Sequence, residues 1–170
     1  LLDWLGSIAF GAKSLQERTS LLTGRMGETI MSRHLTIYDD GNEPETLRMP
    51  FDYEGTPKQR VVLIDRGQAT GVVYDSVYGK RFGQPSTGHA MSPLDVEGPV
   101  PMHLGIVPGR SRVSEMIRGC KRGLLIPRFH YVNGLLNPRE ALMTGLLREG
   151  AFLIERGKPI APVTTMRFTQ

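Results

Sequence analysis

The sequence predicts an α+β fold, dominated by short, mostly antiparallel strands with a few helices. Two observations carry this. Twenty glycines and twelve prolines in 170 residues supply turns at a density that long helices do not tolerate. Apolar runs of strand length recur, and two of them end in the same hairpin string, Leu-Ile-(Asp or Glu)-Arg-Gly, at 63–67 and 153–157. With 39% hydrophobic residues the chain can bury the core of one compact domain.

Leu1 to Leu22 reads as a helix, because Leu1, Leu5, Ile8 and Leu15 recur at helical spacing opposite Lys13, Gln16, Glu17 and Arg18. Gly6 and Gly11 weaken it, with a break expected near Gly11. Thr23 to Glu28 is a loop around Gly24 and Gly27. Leu35 to Tyr38 is a short strand running into the turn signal Asp39-Asp40-Gly41. Asn42 to Lys58, rich in Pro, Gly and acidic residues, is expected to be an exposed loop.

Arg60 to Asp75 is the clearest hairpin: an apolar strand, the turn Asp65-Arg66-Gly67, and a return from Ala69 to Tyr74, closed by a short loop with a bulge. Ser76 to Phe82 suits a short helix. Gln84 to Pro101 is a loop containing Ser86-Thr87-Gly88-His89-Ala90, and Met102 to Val107 is a strand ended by Pro108-Gly109. Ser111 to Arg118 is a helix with Ser111 as N-cap. Leu124 to Val132 is a strand interrupted by Pro127. Met143–Leu147, Ala151–Ile154 and Ile160–Phe168 form a closing antiparallel group, with Glu155-Arg156-Gly157 as its hairpin turn.

The formal charge is +4, with its densest patch at Arg118, Lys121 and Arg122. That scatter describes a solvated face and does not make the clustered basic surface that nucleic acid requires. A single cysteine, Cys120, excludes an intrachain disulfide and fits a reducing compartment. It has no His, Cys or acidic pair at ligand spacing and reads as a plain thiol. No apolar run approaches a membrane span. The apolar Leu1–Phe10 stretch lacks the basic flank and cleavage site of a signal peptide. The chain starts without Met inside an amphipathic segment, as a piece of a longer protein would.

His34, His89, His103 and His130 make no helical ligand pair, and none is flanked by Glu. Local spacing therefore gives no zinc peptidase motif. No phosphate-binding glycine loop and no Gly-x-Ser-x-Gly elbow are present. His89, among hydroxyls and glycine, is read as contacting peptide or ordering its loop. In Arg128-Phe129-His130-Tyr131, strand alternation puts Arg128 and His130 on one face. That face is either solvated or the polar wall of a peptide groove. Ser86, Thr87, His89, Arg128 and His130 are the candidate peptide-binding residues, and no catalytic or metal-ligating residue is assigned.

Five segments then resemble one family in its own order, over essentially the whole chain. Leu21-Leu22-Thr23-Gly24-Arg25-Met26-Gly27-Glu28 resembles the Ser-Gly-x-x-Gly-Glu segment of the TldD/PmbA family, and Tyr38-Asp39-Asp40-Gly41 its Asp-Asp-Gly turn. Glu54-Gly55-Thr56-Pro57 with Val62–Gly67 and Gly71, then Ser86–Ala90, then Phe152–Lys158, are similar to three more of its motifs. The resemblance implies the family's C-terminal domain type, with residues 1–170 forming part of that domain. The family's N-terminal domain and extreme C-terminal segment lie outside this chain.

It further implies a cytoplasmic bacterial or archaeal protein. The family's TldD-type and PmbA/TldE-type subunits form a heterodimeric zinc metallopeptidase acting on unfolded or small peptides. The family has also been labelled a modulator of DNA gyrase. In TldD-type subunits a His-Glu-x-x-x-His zinc helix shortly precedes the Ser-Gly-x-x-Gly-Glu segment. Counted back without gaps, the two histidines fall near Asp3 and Ile8, and the catalytic Glu near Trp4. The third ligand, a cysteine, comes from a segment later than Gln170, and Cys120 does not occupy its place. The expectation is a non-catalytic PmbA/TldE-like subunit without its own cofactor. Its zinc would sit in a TldD-type partner, and its partners would be that subunit or a second copy of itself, together with peptide. An active zinc peptidase with ligands outside the usual motif, and a regulatory gyrase-modulator type of protein, are the alternatives.

Overall fold

The computed structural model describes residues 2–137, 140 and 142–169. The chain forms two compact units, Leu1–Pro108 and Gly109–Gln170. It is strand-rich and antiparallel, with four short helices among the described residues.

The first unit is built on a four-stranded antiparallel sheet. Its strands are β1 (Ile37–Asp39), β2 (Val61–Asp65), β3 (Gln68–Ala69) and β4 (Leu104–Ile106), in the order β3-β2-β1-β4. Ile37 lies opposite Ile64 on one side and Ile106 on the other. Its core gathers Phe10, Leu22, Ile37, Leu63, Ile64 and Val73.

The predicted N-terminal helix is two short helices, α1 (Leu2–Ala9) and α2 (Ala12–Gln16), followed by turns rather than helix up to Leu22. Leu1 lies outside the described residues. The break falls at Gly11 because its neighbours bond to another chain segment instead of to the helix. The Ala12 N–H donates to the Val73 carbonyl at 3.0 Å, and the Val73 N–H to the Phe10 carbonyl at 2.8 Å. A Cβ on Gly11 would stand 2.3 Å from the Pro99 carbonyl oxygen, so the close approach requires glycine.

The hairpin at 60–75 is tighter and shorter than its sequence suggests. Asp65 pairs directly with Gln68. Arg66 (φ 44) and Gly67 (φ 81) both take positive φ, as in a two-residue primed turn, so no bulge closes the loop. The return strand ends at Ala69, after which the chain crosses to Phe10 and Ala12. The Ser76–Phe82 helix, α3, forms as expected, with the Asp75 carboxylate accepting from the Tyr78 N–H at 2.6 Å and Gly83 closing it in the left-handed region.

The second unit contains α4 (Val113–Gly119) and two three-stranded antiparallel sheets. Strands β10 (Arg167–Thr169), β7 (Leu142–Arg148) and β6 (Arg128–Asn137) form one. Strands β5 (Arg122–Leu125), β8 (Ala151–Glu155) and β9 (Lys158–Val163) form the other. Helix α4 starts one residue later than predicted. Arg112, not Ser111, stands at its N-cap, and the Glu115 carboxylate accepts the Arg112 N–H at 2.8 Å. Pro127 marks a change of sheet, since β5 and β6 pair with different strands. The predicted Ile160–Phe168 strand splits in the same way, into β9 and β10. The Glu155-Arg156-Gly157 hairpin repeats the Asp65-Arg66-Gly67 geometry, with Arg156 at φ 49 and Gly157 at φ 78.

Alternation on β6 fails at Tyr131. That residue has φ 51, and the register slips between His130 and Asn133. The extra residue there is a bulge, so the simple two-face reading of 128–131 does not hold beyond His130.

Candidate functional site

Strand alternation puts Asp39 on the same face of β1 as Ile37, and that face is buried. Asp39 is therefore inside the first unit rather than in a solvated turn, with 0% exposure against 1% for His89. A buried carboxylate demands partners, and the loops supply them. Its Oδ2 lies 2.8 Å from His89 Nε2, and its Oδ1 accepts the His103 N–H at 2.6 Å. His89 Nδ1 faces the Thr87 carbonyl oxygen at 2.8 Å and the Thr87 hydroxyl at 2.9 Å. Both ring nitrogens are thus engaged with protein, leaving neither for a nucleophile or a metal.

A second buried acid fixes the same loop. Asp52, also buried, accepts the N–H groups of Glu54 (3.0 Å), Thr56 (2.9 Å) and Ala90 (2.9 Å). It shapes the Glu54-Gly55-Thr56-Pro57 turn and ties it to Ala90. Gly88 (φ 75) passes so close that a Cβ would lie 2.4 Å from the Pro57 carbonyl oxygen. The Thr87 hydroxyl accepts the Tyr74 N–H at 2.8 Å, and the Thr87 main-chain carbonyl accepts the Gln59 N–H at 3.0 Å. Three motifs far apart in sequence, at 39–41, 54–57 and 86–90, are one hydrogen-bonded assembly.

Lys58 is buried beside both acids. Burial pushes its ammonium below the usual lysine pKa, and the charges of Asp39 and Asp52 oppose that push. For Asp39, burial alone drives the carboxyl up. The His89 hydrogen bond and charge, the His103 N–H and the Lys58 charge outweigh it and hold the carboxyl below its ordinary 3.8. The assembly is a brace that fixes two loops against the sheet, and it has no open reacting face.

Of the predicted site residues, Ser86, Thr87 and His89 lie together on this loop. Ser86 and Thr87 are half-buried and His89 is buried. The Ser86 hydroxyl donates to the Tyr74 carbonyl at 3.3 Å. Arg128 and His130 lie exposed on β6 of the other unit, Arg128 within 3.6 Å of Glu149. Asn42 to Lys58 is exposed only in part, since Asp52 and Lys58 are core residues of this brace. Sequence reasoning missed Asp39, Asp52, Lys58 and His103. Period-two counting from Ile37 would have turned Asp39 inward, but the turn signal at 39–41 obscured it. A cleft of about 210 Å³ opens beside the braced loop, lined among others by Tyr53, Glu54, Asp75, Ala90 and Met91.

An α+β architecture of antiparallel sheets, with motif-bearing loops pinned by buried acids, is the class this structure defines. The PmbA/TldA metallopeptidase C-terminal domain matches residues 1–170, and the chain belongs to the PmbA/TldD family. A metalloprotease TldD homologue of Haemophilus influenzae is 30% identical over 151 residues, 87% of this chain and 31% of that protein. The crystal structure of TldE from Thermococcus kodakarensis superposes with a TM-score of 0.83 at 28% identity, covering 99% of this chain and 39% of that one. A Thermotoga maritima protein described as a candidate modulator of a DNA gyrase shares the fold, with a TM-score of 0.82 at 23% identity over 99% of this chain and 39% of that one. The chain thus spans about a third of the length of these relatives.

Homologues named as metalloproteases imply zinc in the family. The described residues do not fit it. Among them no three His, Cys, Asp or Glu side chains converge as a metal site. His103 Nδ1 is buried without a partner, yet His103 Nε2 bonds the Leu47 carbonyl and the carboxylate beside its main chain, Asp39, is saturated. Among the described residues no helix is long and apolar enough to cross a membrane.

Proposed function

We propose that this chain is part of a PmbA/TldE-type subunit that binds unfolded or small peptides beside a TldD-type partner carrying the catalytic zinc, in the cytoplasm. The observation that carries this reading is α1. Followed by α2 and turns, it lies upstream of the Thr23–Glu28 loop, where the resemblance puts the family's zinc helix, with Asp3, Trp4 and Ile8 near the positions of His, Glu and His. Asp3 is the helix's single titratable side chain, and Leu5, Gly6 and Ala9 are committed to the core. One carboxylate cannot make a zinc site that needs three protein ligands. The likeness to TldE supports the same assignment.

Peptide recognition in this reading uses strand edges and the braced loop, whose main-chain groups can pair with an extended ligand without reading its side chains. Ser86 and Thr87, with Arg128 and His130 on β6, are the proposed contacts. His89, being buried, acts on peptide only by positioning the loop.

Elemental analysis of the full-length protein, alone and mixed with a TldD-type partner, tests the assignment. Zinc only in the mixture, together with a stable dimer, is the expected result. About one zinc per chain in the isolated protein would overturn it and favour a self-sufficient peptidase, the reading to which the TldD-named relative leans.

A further inference from the structure

Away from the braced loop, the first unit has a second cleft, of about 300 Å³, lined by Thr29, Arg33, Asp65, Arg66 and Gln68. Two arginines and one aspartate line it. Among the described residues nothing pairs with Arg33. Arg66 meets only its neighbour Asp65, at 3.8 Å with both side chains well exposed, a contact of little strength. Both forks therefore keep donors available for a ligand.

The cleft's backbone is fixed. The N–H groups of Ile30 (2.9 Å) and Met31 (3.1 Å) donate to the Gly67 carbonyl, and the Gly67 N–H donates to the Leu35 carbonyl at 2.8 Å. The Arg66 N–H donates to the Thr36 hydroxyl at 3.0 Å, and Thr29 bridges Gln68. A Cβ on Gly67 would stand 2.3 Å from the Met31 carbonyl oxygen, so the 29–35 segment is seated on the turn itself. Arg66 holds a left-handed conformation (φ 44) that Asn, Asp or Gly adopts at lower cost.

We propose that this cleft binds a single carboxylate of a peptide ligand between the guanidinium groups of Arg33 and Arg66, with the Thr29 hydroxyl as a further donor. The identity of the ligand as a peptide rests on the function proposed above. The choice of a monoanion follows from the charges. Two arginines less one aspartate leave a net +1, which balances one carboxylate, while Asp65 would repel a dianion. Planar forks also match a planar carboxylate through paired N–H donors.

The test uses full-length protein and three peptides of one unstructured sequence without other acidic side chains: a free C-terminal acid, its C-terminal amide, and the amide with one internal Glu. Calorimetric titration is expected to show the acid binding about ten-fold more tightly than the amide. Arg33→Gln and Arg66→Asn should each erase that difference, the latter with its turn intact because Asn suits the position. Recovery of affinity in the Glu peptide assigns the carboxylate to a side chain; no recovery assigns it to the C-terminus. Equal binding of acid and amide, or a preference that survives both substitutions, overturns the cleft while leaving peptide binding standing. If no peptide binds, the peptide reading falls and the cleft is decided separately. N-acetylglycine, but not its amide, should then shift the arginine Nε–H resonances that Arg33→Gln and Arg66→Asn remove, and no shift overturns the site.

Discussion

Replacing His89 by alanine withdraws the Nε2 partner from a carboxylate that water does not reach. Asp39 would keep only the His103 N–H, at 2.6 Å, and the nearby charge of Lys58. Breaking a buried pair from one side costs about 3–5 kcal/mol, because the remaining charge stays desolvated. Urea unfolding followed by circular dichroism should show a loss of that size. Adding Asp39→Asn to the His89→Ala chain should cost less than the sum of the two single changes, with a coupling of about 0.5–3 kcal/mol. The pH dependence follows from the same pair. Asp39 titrates below its ordinary value in the folded protein, so its contribution is complete above about pH 4 and is lost as the pH falls through the depressed value. In the variant the upward push of burial is no longer offset by His89. The stability gap between variant and parent should therefore narrow in acid. A cost below about 1 kcal/mol at neutral pH, or strict additivity with Asp39→Asn, would refute the brace.

Two further substitutions probe the same unit. Gly11→Ala places a methyl 2.3 Å from the Pro99 carbonyl oxygen, a main-chain atom that cannot swing away, and should cost about 1–3 kcal/mol in the same unfolding assay. Thr87→Val removes the hydroxyl that accepts the Tyr74 N–H at 2.8 Å and lies 2.9 Å from His89 Nδ1. It should cost about 1–3 kcal/mol and speed hydrogen exchange at the Tyr74 amide, which an unchanged exchange rate would contradict.

Much of the secondary structure was legible because it is written locally. The Arg-Gly turns at 66–67 and 156–157 follow apolar runs that have few other ways to end, and Asp75 caps α3 from one residue away. The errors share one cause. The break at Gly11 was legible from the glycine, but the Val73 hydrogen bonds and the close Pro99 carbonyl that hold it there were not. The strand after Ala69 stopped for the same contact with Phe10. On β6, a positive φ at Tyr131 broke the alternation beyond His130. Each is a long-range demand on backbone that no neighbouring residue announces.

The candidate site divides along the same line. By itself the sequence determined that the chain is an α+β member of its family and which loops carry the family's motifs. It also led to the expectation that Asp3, Trp4 and Ile8 fall near the positions of the family's zinc helix. These depend on residue order, which folding does not alter. Only the tertiary structure decided that His89 is a buried strut rather than a surface contact, and that Asp39, Asp52 and Lys58 belong to the core. It alone placed Arg33 beside Arg66. Desolvation and the pairing of charges depend on what surrounds a side chain in space, and the residues that surround these come from segments up to 64 positions away, as in the bond from His103 to Asp39.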